Sequence, residues 1–392
     1  MQVVTSCFGR FHIFDQAVQL QRHGLLHRLI SAQPLLPRGR WDVAPDKIDV
    51  FLANFGIGYL HRKVAGALPA TIDSRILRFA HDAFSARLAE RIPDGTDVLI
   101  GLSSFCREAI LEGKRRGIRT IVDHASLHEA SERDSLLRES ERFGFRHSGN
   151  SIHSWLIAKE DAEFRAADHI FVLSSIAKRT LVDHGVDPVK IFVNRCGVSL
   201  DEFFPCGKAD RVFRVIHCSN VSPRKGVHYL LQAFQELRLP DSELWIIGPT
   251  GALRADRRFG ATVASLCGPN VVFKGAVPQL RLRTFFSQGS VFVLPSLADG
   301  FGWVVTQAMA CGLPVIVSDM TGAADLVHEG RDGFVVPVRD VEALKEKLLF
   351  FYEHPESCVE MGRCAREWVT AHETWDEYGD RLAAFLTGLE RF

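Results

Sequence analysis

The chain has 392 residues, of which 46% are hydrophobic and 24% charged, a length that favours two domains and a composition typical of globular proteins. Lys+Arg and Asp+Glu number 47 each, so the formal net charge is zero. This neutrality argues against a nucleic-acid partner, because phosphate backbones are bound by an excess of positive charge.

Cysteine usage and the start of the chain indicate a cytoplasmic location. Nine cysteines are scattered without a CxxC pair, which favours reduced thiols over a disulfide framework. The opening letters "MQVVTSCFG" predict a first strand and not a signal peptide. Apolar runs are all shorter than a membrane-spanning helix requires. We therefore expect a cytoplasmic protein.

Apolar runs alternate with helical patterns along the first half of the chain. A strand at 3–7 is followed by a helical pattern at 13–28, and the alternation continues to residue 198. This alternation is typical of parallel α/β layers. The highly charged stretch 128–157 lacks strand patterns, and we interpret it as a helical insertion. The other predicted strands are 97–104, 119–126, 169–175 and 190–198, and the other predicted helices are 105–117 and 176–185.

The alternation restarts near residue 200, which predicts two similar α/β domains, at 1–200 and 201–370. The last stretch, 356–390, has a helical pattern. Ligands of parallel sheets bind at the carboxyl ends of the strands, so the cleft between the domains is the expected site. Predicted strands of the second domain are 214–220, 243–248, 270–275, 290–296, 313–318 and 333–338, with helices at 226–237, 279–288, 302–311 and 340–353.

The segment "SPRKG" at 222–226 follows a predicted strand and opens a helix. A helix N-terminus offers free N–H groups and a partial positive charge, to which Arg224 and Lys225 add two full charges. These features predict an anion site. A solvated basic turn that contains a glycine is an equally good interpretation of this segment alone.

A second helix start lies in "SLADGFGWVVTQAMACGLPVIVS" at 296–318. Asp299 lies on the loop, Gly300 and Gly302 allow a ligand to approach the backbone, and Gln307 lies further along the helix. Taken separately, Asp299 is explained as a helix cap and Gln307 as a surface residue. Two anion-binding helix starts in one domain instead predict a ligand with a diphosphate and a polyol, such as a nucleotide sugar.

The longer run "SLADGFGWVVTQAMACGLPVIVSDMTGAADLV" resembles the donor-site motif of retaining glycosyltransferases of family four, the glycosyl transferases group 1. Their usual pattern is P-S-x-x-E-G-F-G-x-x-x-x-E-A-M-A-x-G-x-P-V. The segment "SNVSPRKGVHYLLQAF" resembles their G-R-x-x-x-x-K-G segment. The resemblance implies the GT-B fold, in which two Rossmann-like domains face each other across a cleft and a C-terminal helix, here 371–392, packs back on the first domain.

The resemblance also assigns roles to residues of the second domain. It places Asp299 at the donor sugar and Gln307 at the ribose, where the family has glutamates. It pairs Lys225 with the diphosphate and puts Asn220 where the family has an arginine, a charge for which Arg224 is a hypothetical substitute. Sugar and phosphate contacts through backbone amides fall on Gly300, Phe301, Gly302, Trp303 and Val304.

Asp299, Gln307 and Asn220 are thus three departures from the family pattern. Asp299 keeps the charge on a shorter side chain, whereas Gln307 loses a charged hydrogen bond and Asn220 loses a cation that would pair with phosphate. These departures leave open an alternative function, a non-catalytic nucleotide-binding or assembly subunit whose donor site has drifted.

Signals in the first domain are weaker. Gly9 follows the first strand, where the family has a glycine-rich loop near the donor phosphate and the acceptor. His124 matches a family histidine that touches the transferred sugar, with Asp123 as an alternative and a buried structural histidine as another. Gly56 and Gly58, in "NFGIGYLHRK" at 54–63, are better explained as a plain turn.

The resemblance implies transfer of a sugar, with retention, from a nucleotide-diphosphate sugar to a hydroxyl of a glycan or lipid-linked acceptor, in bacterial surface polysaccharide or glycoconjugate synthesis. Asp299, His124 and Lys225 form the expected catalytic set, without a metal or other cofactor. In the family the leaving phosphate itself takes the acceptor proton. The apolar stripe at 13–28 is explained by core packing or by peripheral contact with the inner membrane face.

Overall fold

The computed structural model describes residues 1–9, 11–33, 41–51, 70–145 and 153–389. These residues form two parallel β-sheets with helices packed against them. The predicted class, two Rossmann-like α/β domains facing across a cleft, is confirmed. Strands such as "VLIGL" at Val98–Leu102 are buried along their whole length, as expected for parallel sheets that are covered on both faces.

The first sheet has seven strands in its described part, in the order β3-β2-β1-β4-β5-β6-β7, and all neighbours pair in parallel. The order changes direction between β1 and β4, which opens a crevice at the carboxyl ends of these strands. The strands are β1 (Val3–Cys7), β2 (Leu26–Ser31), β3 (Ile48–Val50), β4 (Val98–Leu102), β5 (Arg119–His124), β6 (His169–Val172) and β7 (Ile191–Val193).

The second sheet has six strands in its described part, in the order β10-β9-β8-β11-β12-β13, again all parallel. Its direction changes between β8 and β11. All six strands lie where the sequence predicts them, to within a few residues at each end. The strands are β8 (Phe213–Cys218), β9 (Ser242–Ile247), β10 (Val271–Gly275), β11 (Val291–Leu294), β12 (Val315–Ser318) and β13 (Gly333–Val336).

Helices connect most consecutive strands in the described parts of both domains. Those of the first domain are α1 (Ile13–Arg22), α2 (Ala70–Glu90), α3 (Arg107–Arg115), α4 (Glu129–Phe143), α5 (Ser154–Ala166) and α6 (Ser175–Asp183). Those of the second domain are α7 (Val227–Leu237), α8 (Gly251–Ala255), α9 (Arg257–Ser265), α10 (Gln279–Phe286), α11 (Trp303–Ala310) and α12 (Val341–Glu353). Two C-terminal helices follow, α13 (Pro355–His372) and α14 (Trp375–Gly388), as the helical pattern at 356–390 predicts.

The helix predicted at 13–28 is wrong beyond Arg22. Gly24 takes a left-handed backbone conformation, with φ +69°, and the chain then enters β2. Phe14 is 2% exposed, so the apolar stripe of this segment faces the core and gives no support to a membrane contact here. Among the described residues, no helix is both long and apolar enough to cross a bilayer.

The sequence prediction has no counterpart for strands β2 and β3 or for helices α2, α8 and α9, and α5 lies mostly beyond the helical stretch predicted at 128–157. Helix α2 carries only a weak apolar stripe, because Ile72 and Phe79 are exposed. The predicted turn at Gly56 and Gly58 lies outside the described residues.

Two helices tie the domains together. Helix α14 returns to the first domain, where the Tyr378 hydroxyl accepts a hydrogen bond of 2.8 Å from Gln16 Nε2 of α1. Helix α4 belongs to the charged stretch 128–157 that is predicted to be helical. It contacts the second domain, where Ser135 Oγ donates to the Leu297 carbonyl at 3.2 Å. Both helices therefore hold the two sheets in one relative position.

Candidate functional site

The carboxyl ends of the strands in both sheets face a cleft. This cleft contains a cavity of about 700 Å³ whose walls come from both domains. The first domain contributes the segment after β1, and the second contributes the segment after β10 and the start of α11. The residues used below are His12 from the first domain and Trp303, Val304 and Gln307 from the second.

The loop after β11 is shaped by its glycines. Gly302 precedes α11 with φ +88°, a left-handed conformation that favours glycine. A Cβ atom on Gly300 would lie 2.3 Å from the Ala125 carbonyl oxygen of the first domain. The Gly300 carbonyl also accepts a hydrogen bond of 2.7 Å from Ser174 Oγ. Close packing of the two domains therefore requires glycine at position 300.

Asp299 and Lys225 form an ion pair at one end of this loop. Lys225 lies on a short 3₁₀ turn after β8, and its Nζ donates to Asp299 Oδ2. The Asp299 side chain is largely buried. Burial favours a raised pKa for Asp299, but Lys225 and Arg224 outweigh it and hold the pKa below its ordinary value. Burial lowers the pKa of Lys225, and the negative charge of Asp299 opposes this shift. Asp299 is thus a buried carboxylate that is stabilised by two cations, Lys225 and Arg224.

Gly226 locks this turn against the Asp299 loop. Its φ is +66°, and a Cβ atom there would lie 1.9 Å from the Pro295 carbonyl oxygen. The Leu297 backbone N–H also donates to the Arg224 carbonyl at 2.7 Å. The turn at 223–226 and the loop at 295–299, which belong to the two predicted anion-binding segments, are therefore packed against each other.

Arg224 lies beside this pair and is engaged by protein oxygens. Its Nη1 donates to the Ala298 carbonyl at 2.7 Å, and its Nε lies 3.6 Å from Glu132 Oε1 of α4. Asn220, at the position of the family arginine, is exposed on the loop after β8. The hypothesis that Arg224 substitutes for the family arginine stays a prediction, since Arg224 already has carboxylate and carbonyl partners.

Glu132 and Glu129 of α4 add two carboxylates that sequence reasoning did not place here. Burial raises the pKa of Glu132, although Arg224 and Lys225 oppose the shift. Burial, with the charge of Glu132, raises the pKa of Glu129 to about 8. The available signal was the acidic start of "HEASERDSLLRESERFG", directly after a strand whose carboxyl end faces the cleft. Glu129 and Glu132 of the first domain therefore lie close to Arg224 and Lys225 of the second domain.

His124 lies at the end of β5 with both ring nitrogens engaged. Nδ1 lies 2.9 Å from Ser103 Oγ, and Nε2 lies 3.1 Å from the Leu127 carbonyl oxygen. Burial lowers the pKa of His124 to about 4, so the ring is neutral near pH 7. This environment favours the alternative of a buried structural histidine, and the assigned sugar contact stays a prediction.

Gly9 and Phe301 lie on the loops after β1 and β11. Gly9 follows β1, and a Cβ atom there would lie 2.9 Å from the ring of Phe11. Phe301 is 3% exposed, and its backbone N–H is hydrogen-bonded to the Asp299 carboxylate. This N–H orients the acid, so neither residue offers a side chain to a ligand.

Gln307, Trp303 and Val304 line the cavity from α11. The Gln307 Oε1 atom is buried and has no hydrogen-bond partner among the described residues. An unpaired buried oxygen costs about 1–3 kcal/mol, so a ligand hydroxyl that donates to it would be stabilised. Gln307 is therefore not an ordinary surface residue, and its assigned place at a ribose stays a prediction.

A family described as Glycosyl transferases group 1 matches residues 200–368. This segment, which spans the second domain and most of α13, is similar to the group 1 glycosyl transferases.

Curated relatives match a similar part of the chain. A GDP-mannose-dependent alpha-(1-6)-phosphatidylinositol monomannoside mannosyltransferase of Mycolicibacterium smegmatis is 31% identical over 212 residues, which cover 49% of this chain and 55% of the relative. A D-inositol 3-phosphate glycosyltransferase of Streptomyces scabiei is 31% identical over 221 residues, or 51% of this chain and 50% of the relative. The chain spans about half the length of the curated relatives it matches.

A solved structure extends the likeness to the whole fold. Sucrose-phosphate synthase from Thermosynechococcus elongatus superposes with a TM-score of 0.70, covering 100% of both chains at 19% identity. At this identity the likeness concerns the fold alone, which is the GT-B arrangement.

Among the residues assigned from the group 1 pattern, the structure brings two sets together. Lys225, Asp299 and Arg224 meet where the loops after β8 and β11 pack together, and Trp303 and Gln307 line the cavity. Exposed Asn220 joins neither set, and His124 is enclosed within its own domain.

Proposed function

We propose that this protein is a retaining glycosyltransferase that moves a sugar from a nucleoside-diphosphate sugar to a hydroxyl of a glycan or lipid-linked acceptor. The observation that carries the proposal is the cavity of about 700 Å³ between the sheets, into which α11 brings Gln307 with an unpaired Oε1 atom. This helix belongs to the segment that matches the group 1 family. A nucleoside diphosphate has the size and the hydroxyls that such a cavity requires.

In this proposal the second domain holds the donor along α11. The N-terminal turn of α11, after Gly302, receives the diphosphate on its free N–H groups, and Lys225 supplies a full positive charge. Gln307 is four residues beyond Trp303, about 6 Å along the helix, a separation that suits a ribose beside a diphosphate. Asp299, at the other side of the turn, binds hydroxyls of the sugar.

Transfer then depends on electrostatic stabilisation of the departing diphosphate. Lys225 is already desolvated, so its charge acts at low dielectric and is worth more than it would be in water. Its present partner is Asp299, and an entering phosphate competes for the same ammonium group. The donor therefore reorganises this ion pair on binding, which frees the Asp299 carboxylate for the sugar.

A GDP-sugar is the first donor to test, because a relative of the donor half is named as GDP-mannose-dependent. Contact with a lipid surface through the acceptor is part of this proposal, since the same relative is named for a phosphatidylinositol mannoside. The protein should be incubated with GDP-mannose and with UDP-, ADP- and dTDP-glucose, and nucleotide release and thermal shift measured. We expect release with at least one donor and its loss in Lys225→Ala.

A second candidate function, a nucleotide-binding subunit without transfer activity, is favoured by one observation. Arg224 is held by Glu132 and the Ala298 carbonyl, and Lys225 is paired with Asp299, so a diphosphate would have to compete with protein partners for both cations. The same panel separates the candidates: a thermal shift without nucleotide release supports the binding subunit. Absence of both across the panel overturns the enzyme and its alternative together.

A further inference from the structure

The first-domain wall of the cleft contains a buried histidine–aspartate pair. His12 Nε2 lies 2.8 Å from Asp123 Oδ1, although the two residues are 111 positions apart in the sequence. Their side chains are 0% and 1% exposed. The other carboxylate oxygen of Asp123 accepts a hydrogen bond of 2.8 Å from Gln16 Nε2. Two donors thus fix the Asp123 carboxylate, and this carboxylate fixes the imidazole.

This arrangement assigns the tautomer of His12. An ionised carboxylate only accepts hydrogen bonds, so His12 Nε2 carries a proton, and Nδ1 of the neutral ring presents a lone pair. Nδ1 is buried and has no hydrogen-bond partner among the described residues. A buried acceptor without a donor is costly, so it marks a position at which a ligand donor is missing.

The position of His12 indicates which part of a ligand it faces. His12 lines the cavity, and its ring packs edge-on against Trp303 with 5.9 Å between the ring centroids. Trp303 begins α11, where the diphosphate is proposed to bind, whereas Gln307 lies one turn further toward the ribose. His12 therefore faces the diphosphate end of the proposed donor site from the first domain.

We propose that His12, oriented by Asp123, binds the acceptor hydroxyl through Nδ1. This role rests on the proposed function and assigns a hydroxyl-binding site to the first domain, which the family-matched segment 200–368 does not include. Asp123 acts through His12 as a positioning residue. The group that binds Nδ1 is a neutral hydroxyl that donates one hydrogen bond. A water molecule can donate the same bond.

A matched pair of variants tests the role of Nδ1. His12→Gln keeps a polar group near Nε2, facing Asp123, but removes the acceptor at Nδ1. His12→Asn places its amide near Nδ1 and cannot reach Asp123. The measurements are donor hydrolysis, affinity for free GDP and UDP by calorimetry, and thermal midpoint. Hydrolysis uses water as the acceptor and needs no knowledge of the natural one.

We expect His12→Gln to hydrolyse the active donor about 10-fold more slowly, the cost of one hydrogen bond, with unchanged nucleotide affinity. His12→Asn should lose less of the hydrolysis activity than His12→Gln, because its amide lies near the position of Nδ1. Asp123→Asn, whose amide can donate to Nε2 and move the proton to Nδ1, should slow hydrolysis as His12→Gln does. ¹⁵N NMR of histidine-labelled protein should show unprotonated His12 Nδ1 in the wild type and its protonation in Asp123→Asn.

Three outcomes overturn the role of His12. One is wild-type hydrolysis by His12→Gln. Another is an equal loss of nucleotide affinity and hydrolysis, which makes His12 a nucleotide contact. The last is a large drop in the thermal midpoint of all three variants together with every activity, which makes the pair structural. Failure of the proposed function is distinct, because the wild type itself then releases no nucleotide from any donor.

Discussion

Lys225 and Asp299, 74 residues apart in the sequence, form an ion pair that is almost completely removed from solvent. Removal of one partner leaves the other charge buried without compensation, at a cost of about 3–5 kcal/mol. We therefore expect Lys225→Met to lower the free energy of unfolding by about 3 kcal/mol, measured by urea denaturation at pH 7.

The double variant Lys225→Met/Asp299→Asn is the control for this pair. It removes both charges, so its unfolding free energy should recover most of the loss, while nucleotide binding stays weak. A double variant as unstable as the sum of the two single variants would show that the two side chains are not coupled in the folded protein.

Gln307 offers a second test, because its unpaired Oε1 atom lies in the cavity. Gln307→Ala should weaken GDP or UDP binding about 10-fold, the value of one hydrogen bond to a ligand hydroxyl. Gln307→Glu should keep or tighten binding, since a carboxylate accepts the same bond with a full charge. Calorimetry measures both, with Gln232→Ala on α7 as the control for a glutamine outside the cavity. A large loss in Gln307→Glu would mean that the pocket depends on the amide.

The loop before α11 could be predicted from sequence because its information is local. The glycines at 300 and 302 and the acid at 299 stand within four residues, and the strands of the second domain are short apolar runs bounded by polar turns. Helix α1 was predicted too long because its heptad-like apolar spacing continues through Gly24 into β2.

Contacts across the domains could not be predicted in the same way. The pairs His12–Asp123 and Arg339–Glu139 join residues 111 and 200 positions apart. No local period or motif specifies such pairs, because they depend on how the two sheets are docked. This is why sequence reasoning assigned the donor loop and missed His12 and Glu132, whose partners come from other elements.

The raised pKa of Glu129 predicts that the protein becomes less stable as pH rises toward 8. Its pKa is raised from 4.5 to about 8, so between these values the folded state binds more protons than the unfolded state. The contribution of Glu129 therefore becomes less favourable as pH rises from about 5 to 8. We expect Glu129→Gln to be more stable than the wild type by about 2 kcal/mol at pH 9 and equal to it at pH 5, in urea denaturation. Asp134→Asn, an exposed acid on the same helix, is the control and should show no such trend.

Gly302 tests whether the start of α11 depends on its left-handed backbone. Its φ is +88°, and a Cβ atom at this position would lie only 3.1 Å from Thr321 Cγ2. Gly302→Ala should therefore destabilise the protein by about 1–2 kcal/mol and weaken nucleotide binding. Gly251→Ala, at the start of α8 with no atom within 4 Å of its Cβ position, should be neutral or slightly stabilising. Equal thermal midpoints for the two variants would contradict the requirement for glycine at position 302.

Glu139 makes the attachment of α4 to the second domain sensitive to acid. It is 1% exposed and accepts hydrogen bonds from Arg339 Nε at 2.5 Å and from the Tyr229 hydroxyl at 3.0 Å. Burial alone would raise its pKa, but His228 and Arg339 outweigh burial and the pKa is lowered. The ionised form is thus favoured on folding, so the contribution is present above about pH 4.5 and is lost as pH falls through the lowered value.

Glu139→Gln should therefore lower the free energy of unfolding at pH 7 by about 3 kcal/mol, because Arg339 is left without its carboxylate. The variant and the wild type should converge as pH falls through the lowered pKa of Glu139, because the wild-type carboxyl is then itself protonated. Urea denaturation between pH 3 and pH 8 measures this difference, with the exposed Glu141→Gln on the same helix as the control. A constant difference at every pH would assign the loss to packing and not to the charge. Convergence would assign the loss to the charge of Glu139, which joins α4 to Arg339 of the second domain.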